Sequence, residues 1–193
     1  VEPMWDLPTV PEFEDPDNHV EVNYHSWDIG TCIQEIAENS VDTPHLKFLH
    51  GAPMIPPVEF EADGPISKYN IMDGYIWGIG HGPGISETRH NKGDVAMLMF
   101  ALSTPVHAEL TRTRMAFTWK KYPEGSEDAK TAEHLYNHSI GEAEGEDSAG
   151  FESVDLIVWD NKKYRPNPLL CDGDGPILRF REYFKQFYVE GAE

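Results

Sequence analysis

Hydrophobic and polar positions alternate most cleanly between residues 111 and 120. Thr113, Met115, Phe117 and Trp119 fall on one side there, and Arg112, Arg114, Thr118 and Lys120 on the other. A period of two is the signature of a half-buried strand. Residues 95–102 are apolar on both faces, which suits a central strand. Shorter runs bounded by Gly, Asp or Pro predict further strands at 19–27, 58–62, 66–72, 74–79 and 151–159. Two stretches carry the helical period instead. Ile29, Cys32, Ile33, Ile36, Ala37 and Val41 form one stripe on a helix beginning near Gly30. Ile177, Phe180, Phe184, Phe187 and Tyr188 form another on a terminal helix, with Pro176 suited to its first position. Pro3, Pro8, Pro11 and Pro16 mark residues 1–18 as an extended N-terminal segment or linker ahead of a domain at 19–193. Antiparallel strands, one early helix and one late helix make an α+β domain.

The early helix carries too much polar chemistry for a core element. Asn39, Asp42, His45 and His50 lie within a stretch that otherwise reads as buried. On a straight helix, residues five apart point roughly 140° away from each other, so His45 and His50 could not share a ligand. Pro44 and the run Gly51-Ala52-Pro53 break the helix and allow both rings to reach one point. Two neutral imidazoles, one carboxylate and open positions make the ligand set of mononuclear non-haem Fe(II) oxygenases. Near the C-terminus, Asp172 and Asp174 stand at the mouth of the terminal helix as candidate carboxylates. Their alternative use is helix capping.

The pattern Asn39-x-x-Asp42-x-x-His45-x-x-x-x-His50, followed far downstream by an acidic pair before an aromatic helix, resembles the catalytic domain of Rieske-type non-haem iron oxygenases. The likeness is strongest to the 3-ketosteroid 9-alpha-hydroxylase oxygenase and cholesterol 7-desaturase branch. It is carried by residues 34–39 and 42–51, Asn167-Pro168-Leu169-Leu170, Asp174-Gly175-Pro176 and Gln186-Phe187-Tyr188. The resemblance implies that His45, His50 and Asp174 hold the iron, with Asp174 favoured over Asp172. It implies that Asp42 bridges toward the Rieske cluster of a neighbouring subunit in a homotrimer, and that Asn39 lies near the metal. It also implies a helix-grip fold: a curved antiparallel sheet around a long C-terminal helix, with a hydrophobic cavity between them. The expected reaction is dioxygen-dependent hydroxylation or desaturation of a steroid or another polycyclic apolar molecule. Electrons would come from a Rieske [2Fe-2S] domain and an NAD(P)H-dependent reductase.

A Rieske cluster needs two Cys and two His. The two cysteines here, Cys32 and Cys171, lack the partner histidines close behind them, so this chain does not bind the cluster itself. It is expected to be a catalytic domain separated from its electron-supplying half, or a fragment of a longer protein. Fifteen basic residues against thirty-four acidic ones give a net charge of −19, which disfavours nucleic acid and anionic membranes as partners. The longest apolar run, 95–102, is too short to cross a bilayer. Two distant cysteines suit a reducing compartment, and a cytoplasmic location is expected.

Other motifs carry less. His134 and His138 have the spacing of a zinc pair, near Glu133 and Glu142, but lack the central Glu of the hydrolytic motif, so a solvated loop or short surface helix is expected. The glycine run 78–84 lacks the lysine of a phosphate cradle and reads as a turn or a loop flanking the site, with His81 only a weak candidate for substrate contact. Of Trp77, Met97, Met99, Phe100, Met115, Phe117, Trp119 and Trp159, most are expected to be ordinary core rather than cavity lining. The competing function is a metal-free helix-grip lipid or sterol carrier, which would have no use for three buried ionisable groups. A zinc hydrolase is a third reading.

Overall fold

The computed structural model describes residues 2–141 and 154–189. Seven strands form one antiparallel sheet: β1 (Asn23–Ile29), β2 (Val58–Asp63), β3 (Ile66–Ile71), β4 (Ile76–His81), β5 (Ile85–Lys92), β6 (Val95–His107) and β7 (Leu110–Trp119), in the order β1-β7-β6-β5-β4-β3-β2. From β2 to β7 each strand pairs with its successor, as short turns favour, and β1 closes the row beside β7. The helices are α1 (Ile33–Ala37), α2 (Pro44–Phe48), α3 (Glu127–Ile140), α4 (Leu156–Asn161) and α5 (Ile177–Phe184). Over the described residues the protein is thus α+β with one antiparallel sheet.

Register decides which residues share a face. Tyr69, Gly78, Thr88, Met99 and Phe117 form one cross-strand row, and Ile71, Ile76, His90, Met97 and Trp119 the next. These rows look toward the helices. Phe60, Tyr69 and Ile71 pack with Ile177, Phe180, Tyr183 and Phe184 of α5. Met97, Met115 and Phe117 pack with Ala132, Leu135 and Ile140 of α3. On the opposite face, Leu98, Phe100 and Ala116 are covered by Val10 and Phe13 of the N-terminal segment. Phe100 is therefore core on the far side of the sheet.

Three expectations about elements need correction. The stretch ending at Trp159 is helix rather than strand over its described part: Asp155 precedes α4, and its predicted residues 151–153 lie outside the described ones. Short runs with Val and Ile do not distinguish the two by pattern. Here Asp155 and Trp159 are buried on one helical face while Ile157 and Val158 are exposed. Strand β5 has no counterpart in the sequence reading, because its sequence, ISETRHNK, is polar on both faces. Ser86, Thr88 and His90 turn to the cavity, while Glu87 and Arg89 pair with each other and, through Arg89, with Glu12 on the far side. Finally, His134 and His138 sit on α3, a 14-residue helix capped by Ser126 and ended by Gly141 at φ 78°, whose inner face is buried. Glu142 lies outside the described residues.

Candidate metal centre

The early helix breaks into pieces. After α1 comes one 3₁₀ turn, Glu38–Ser40, and then α2 with Pro44 in its first turn. Leu49 closes α2, and Gly51 at φ 73° turns the chain out. This broken course brings the two imidazoles together, with ring centroids 5.4 Å apart and planes at 77°. His50 Nε2 lies 3.1 Å from Oδ2 of Asp155. One ligand atom from each of His45, His50 and Asp155 falls within 4.8 Å of the others.

The carboxylate beside the rings is therefore Asp155, and the expected Asp174 does not join them. Asp174 instead accepts a hydrogen bond from the main-chain N of Cys171 at 2.5 Å, inside the loop that precedes α5. Asp172, the alternative, is exposed in the same loop. Periodicity does not single out Asp155, because it lies inside a run of Val and Ile that suits a strand as well as a helix. The available signal was a carboxylate inside the apolar run 154–159, four residues before a tryptophan.

The protonation of the site follows from its neighbours. Nδ1 of His45 bonds to the main-chain carbonyl of Asp42. A carbonyl only accepts, so Nδ1 carries the proton and Nε2 keeps its lone pair. Burial holds the His45 pKa below the usual imidazole value, outweighing the pull of Asp155 and of Asp42. The ring is neutral at pH 7, as a metal ligand must be. Ligand bonds of about 2.1 Å at right angles put two donor atoms about 3 Å apart. The 3.1 Å gap between His50 and Asp155 has that value, and with the His45 donor inside 4.8 Å the three residues could hold one divalent ion.

These residues open onto a cavity of about 440 Å³. Asn39, His45 and His50 line it together with Leu46, Ile71, Ile76, Met99, Leu135, Trp159 and Phe180. Of the eight aromatic and methionine candidates, Met99 and Trp159 reach the lining. Asp42 is half-buried outside the lining and meets His45 through its backbone. Near these imidazoles stand His90 of β5 and His138 of α3, whose ring centroid is 6.2 Å from that of His50. Burial, with His138 and His50 adding to it, lowers the His90 pKa to about 4. Tyr69 bonds Thr88 across β4, and burial pushes its phenol up to about 12, so it stays neutral. The glycine run has become the end of β4 and a turn: Gly80, Gly82 and Gly84 line the cavity, while His81 bonds Glu87 at 2.9 Å.

Comparison with known proteins gives the fold's neighbours and the chain's family. The fold matches NdmA of Pseudomonas putida CBB5 with a TM-score of 0.66 at 14% identity, covering 93% of this chain and 53% of that one. It matches dicamba monooxygenase bound to 3,6-dichlorosalicylic acid with a TM-score of 0.59 at 12% identity, covering 93% and 62%. The profile of the 3-ketosteroid 9alpha-hydroxylase C-terminal domain matches residues 1–188, and the chain belongs to that family. It is 27% identical to the cholesterol 7-desaturase of Caenorhabditis elegans over 99% of this chain and 50% of the relative. It is 49% identical over 41 residues to a probable 3-ketosteroid-9-alpha-monooxygenase oxygenase component of Rhodococcus rhodochrous, covering 21% of this chain and 10% of the relative. The chain thus spans at most about half the length of these curated relatives. The resemblance to the catalytic domain of Rieske-type non-haem iron oxygenases, on the steroid branch, is borne out. Among the described residues no helix is long and apolar enough to cross a membrane.

Proposed function

We propose that this chain is the catalytic domain of a Rieske-type oxygenase that hydroxylates or desaturates a steroid or similar polycyclic apolar molecule with dioxygen, and that His45, His50 and Asp155 hold its mononuclear Fe(II). The observation that carries this reading is the convergence of two imidazoles and one carboxylate within 4.8 Å at the wall of a mostly apolar cavity. Held by these three groups, Fe(II) would supply the dioxygen-dependent oxidising chemistry. The chain supplies the rest. Met99, Leu135, Phe180 and Ile71 desolvate an apolar substrate and hold it near the three ligands. The Asp42 carbonyl fixes the His45 tautomer. In our reading the Asp42 carboxylate faces the histidine of a Rieske [2Fe-2S] domain in a neighbouring subunit of a homotrimer, charged by an NAD(P)H-dependent reductase, and Asn39 lies over the metal pole.

Within this reading the fold is of the helix-grip type: α5 packs on β2 and β3 through Phe60, Tyr69, Phe180 and Tyr183 and covers one end of the sheet. Its single helical run is eight residues, shorter than the long helix expected, and continues as a 3₁₀ turn. Residues 19–193 are read as the catalytic domain and residues 1–18 as its entry segment, of which Val10 and Phe13 cover the outer face of the sheet, with a cytoplasmic location suited to reduced cysteines.

The test is metal analysis after anaerobic loading with Fe(II). Wild-type protein should keep about one iron per chain. His45→Ala and Asp155→Ala should lose it, and Asp174→Ala should retain it. Iron kept by Asp155→Ala and lost by Asp174→Ala would overturn the carboxylate assignment. Metal-free protein that binds cholesterol tightly would establish the carrier function instead.

A further inference from the structure

Four charged side chains with no part in the proposed chemistry meet beside α1. Glu35 and Glu38 are 1% and 4% exposed. Arg181 of α5 donates from Nε to Oε2 of Glu38 at 2.6 Å and from Nη2 to its Oε1 at 3.0 Å. The same Nη2 reaches Oε1 of Glu35 at 3.4 Å, and Nη1 donates to the carbonyl of Arg165 at 2.6 Å. Lys162 Nζ lies 2.8 Å from Oε2 of Glu35, an ion pair held by charge without hydrogen-bond geometry. The two carboxylates and two cations balance. Burying such a set is costly, and apolar residues of like volume serve stability as well or better, so stability alone is a poor reason for it.

Its position supplies another reason. Asp155 sits at one end of α4, a helix of six residues spanning about 9 Å. The other end of α4 is fastened to the residues leading into α1. Asp160 Oδ1 accepts from Gly30 N at 2.7 Å, Thr31 Oγ1 donates to the carbonyl of Lys162 at 3.3 Å, and Trp159 packs against Ile29 and Ile36. Lys162, the residue just after α4, then enters the charged cluster through Glu35, while Arg181 grips Glu38 next to Asn39. One network therefore joins the element that bears the carboxylate to the segment that bears both imidazoles.

Building on the reading of His45, His50 and Asp155 as the metal ligands, we propose that the Glu35, Glu38, Lys162 and Arg181 network is the positioning device of that site, holding α4 and its Asp155 in register with the α1–α2 segment. Lys162 and Arg181 are positioning residues and touch neither metal nor substrate. Outer partners of metal ligands typically change affinity by 10–100-fold, which sets the size of the effect.

Co(II), followed anaerobically through its visible absorption, is the probe. Lys162→Met should bind Co(II) about tenfold more weakly than wild type, and Lys162→Arg should restore binding. Lys162→Met strands a buried carboxylate, so part of its effect could come from lost stability. The double variant Glu35→Gln/Lys162→Met removes that charge, and it should regain thermal stability while its Co(II) affinity stays low. Leu98→Ala, on the far face of the sheet, should lose stability and keep its affinity. Equal Co(II) affinity in Lys162→Met and wild type would overturn the proposal. So would affinity that merely follows the melting temperature across all these variants. If wild-type protein binds no Co(II), both the metal-site reading and this proposal fall; if it binds and the variants bind equally, only this proposal does.

Discussion

His90 shows how one residue's surroundings set a measurable property. It belongs to a polar strand, its remaining exposure is toward the cavity it lines, and its folded pKa lies at about 4 against an ordinary 6.5. A depressed imidazole pKa means that the unfolded chain takes up the proton more readily than the folded one. The stability due to neutral His90 is therefore complete above about pH 6.5 and is lost as pH falls toward 4. Between pH 7 and pH 5 the loss should be on the order of 2 kcal/mol. Urea titrations of metal-free wild type and His90→Gln at both pH values should show a clearly smaller decline in the variant. Equal declines would assign the acid sensitivity elsewhere. At this scale the sequence was informative about His45 and His50, because a proline and a glycine flank them and break the helix. It did not single out the carboxylate that the fold sets beside them. Asp174 and Asp155 are equally plausible as isolated acids, and only the folded chain, with Trp159 packed onto Ile29 and Ile36, shows Asp155 beside the imidazoles.

Among the elements, β4 is the one whose sequence most needs its neighbours to be understood. A Cβ at Gly78 would lie 2.4 Å from the Tyr69 hydroxyl and 2.5 Å from the carbonyl of Glu87. The glycine lets the Tyr69 ring cross β4 to reach Thr88. Gly78→Ala should therefore destabilise the protein by about 2 kcal/mol through overpacking, read as a lowered urea midpoint. An unchanged midpoint would mean that Tyr69 is not held over β4. The strands with alternating or fully apolar patterns, β6 and β7, were legible because one or both of their faces are core. Strand β5 was not, since its inner face serves the cavity and its outer face an ion pair. Helix α3 was underestimated for a related reason: His138 turns to the cavity from the same helix that packs Leu135 and Ile140 against β6.

At the scale of the whole molecule, charge matters most. With a net charge of −19, the folded chain repels itself, and that repulsion is screened by salt. The melting temperature should rise by several degrees between about 0.02 M and 0.5 M NaCl. A fall would mean that the ion pairs, such as Arg112 with Asp28 and Arg89 with Glu12, outweigh the repulsion. The period-two and helical patterns along the chain determined an α+β domain, and the broken helix determined that two histidines could meet, because both depend on local geometry that a few neighbouring residues impose. Which carboxylate lies beside the imidazoles, the strand order and the pairing of buried charges were decided only by tertiary structure. Each depends on contacts between residues far apart in the chain, such as Asp155 with His50 and Arg181 with Glu38, and no local periodicity encodes which distant partner a side chain will meet.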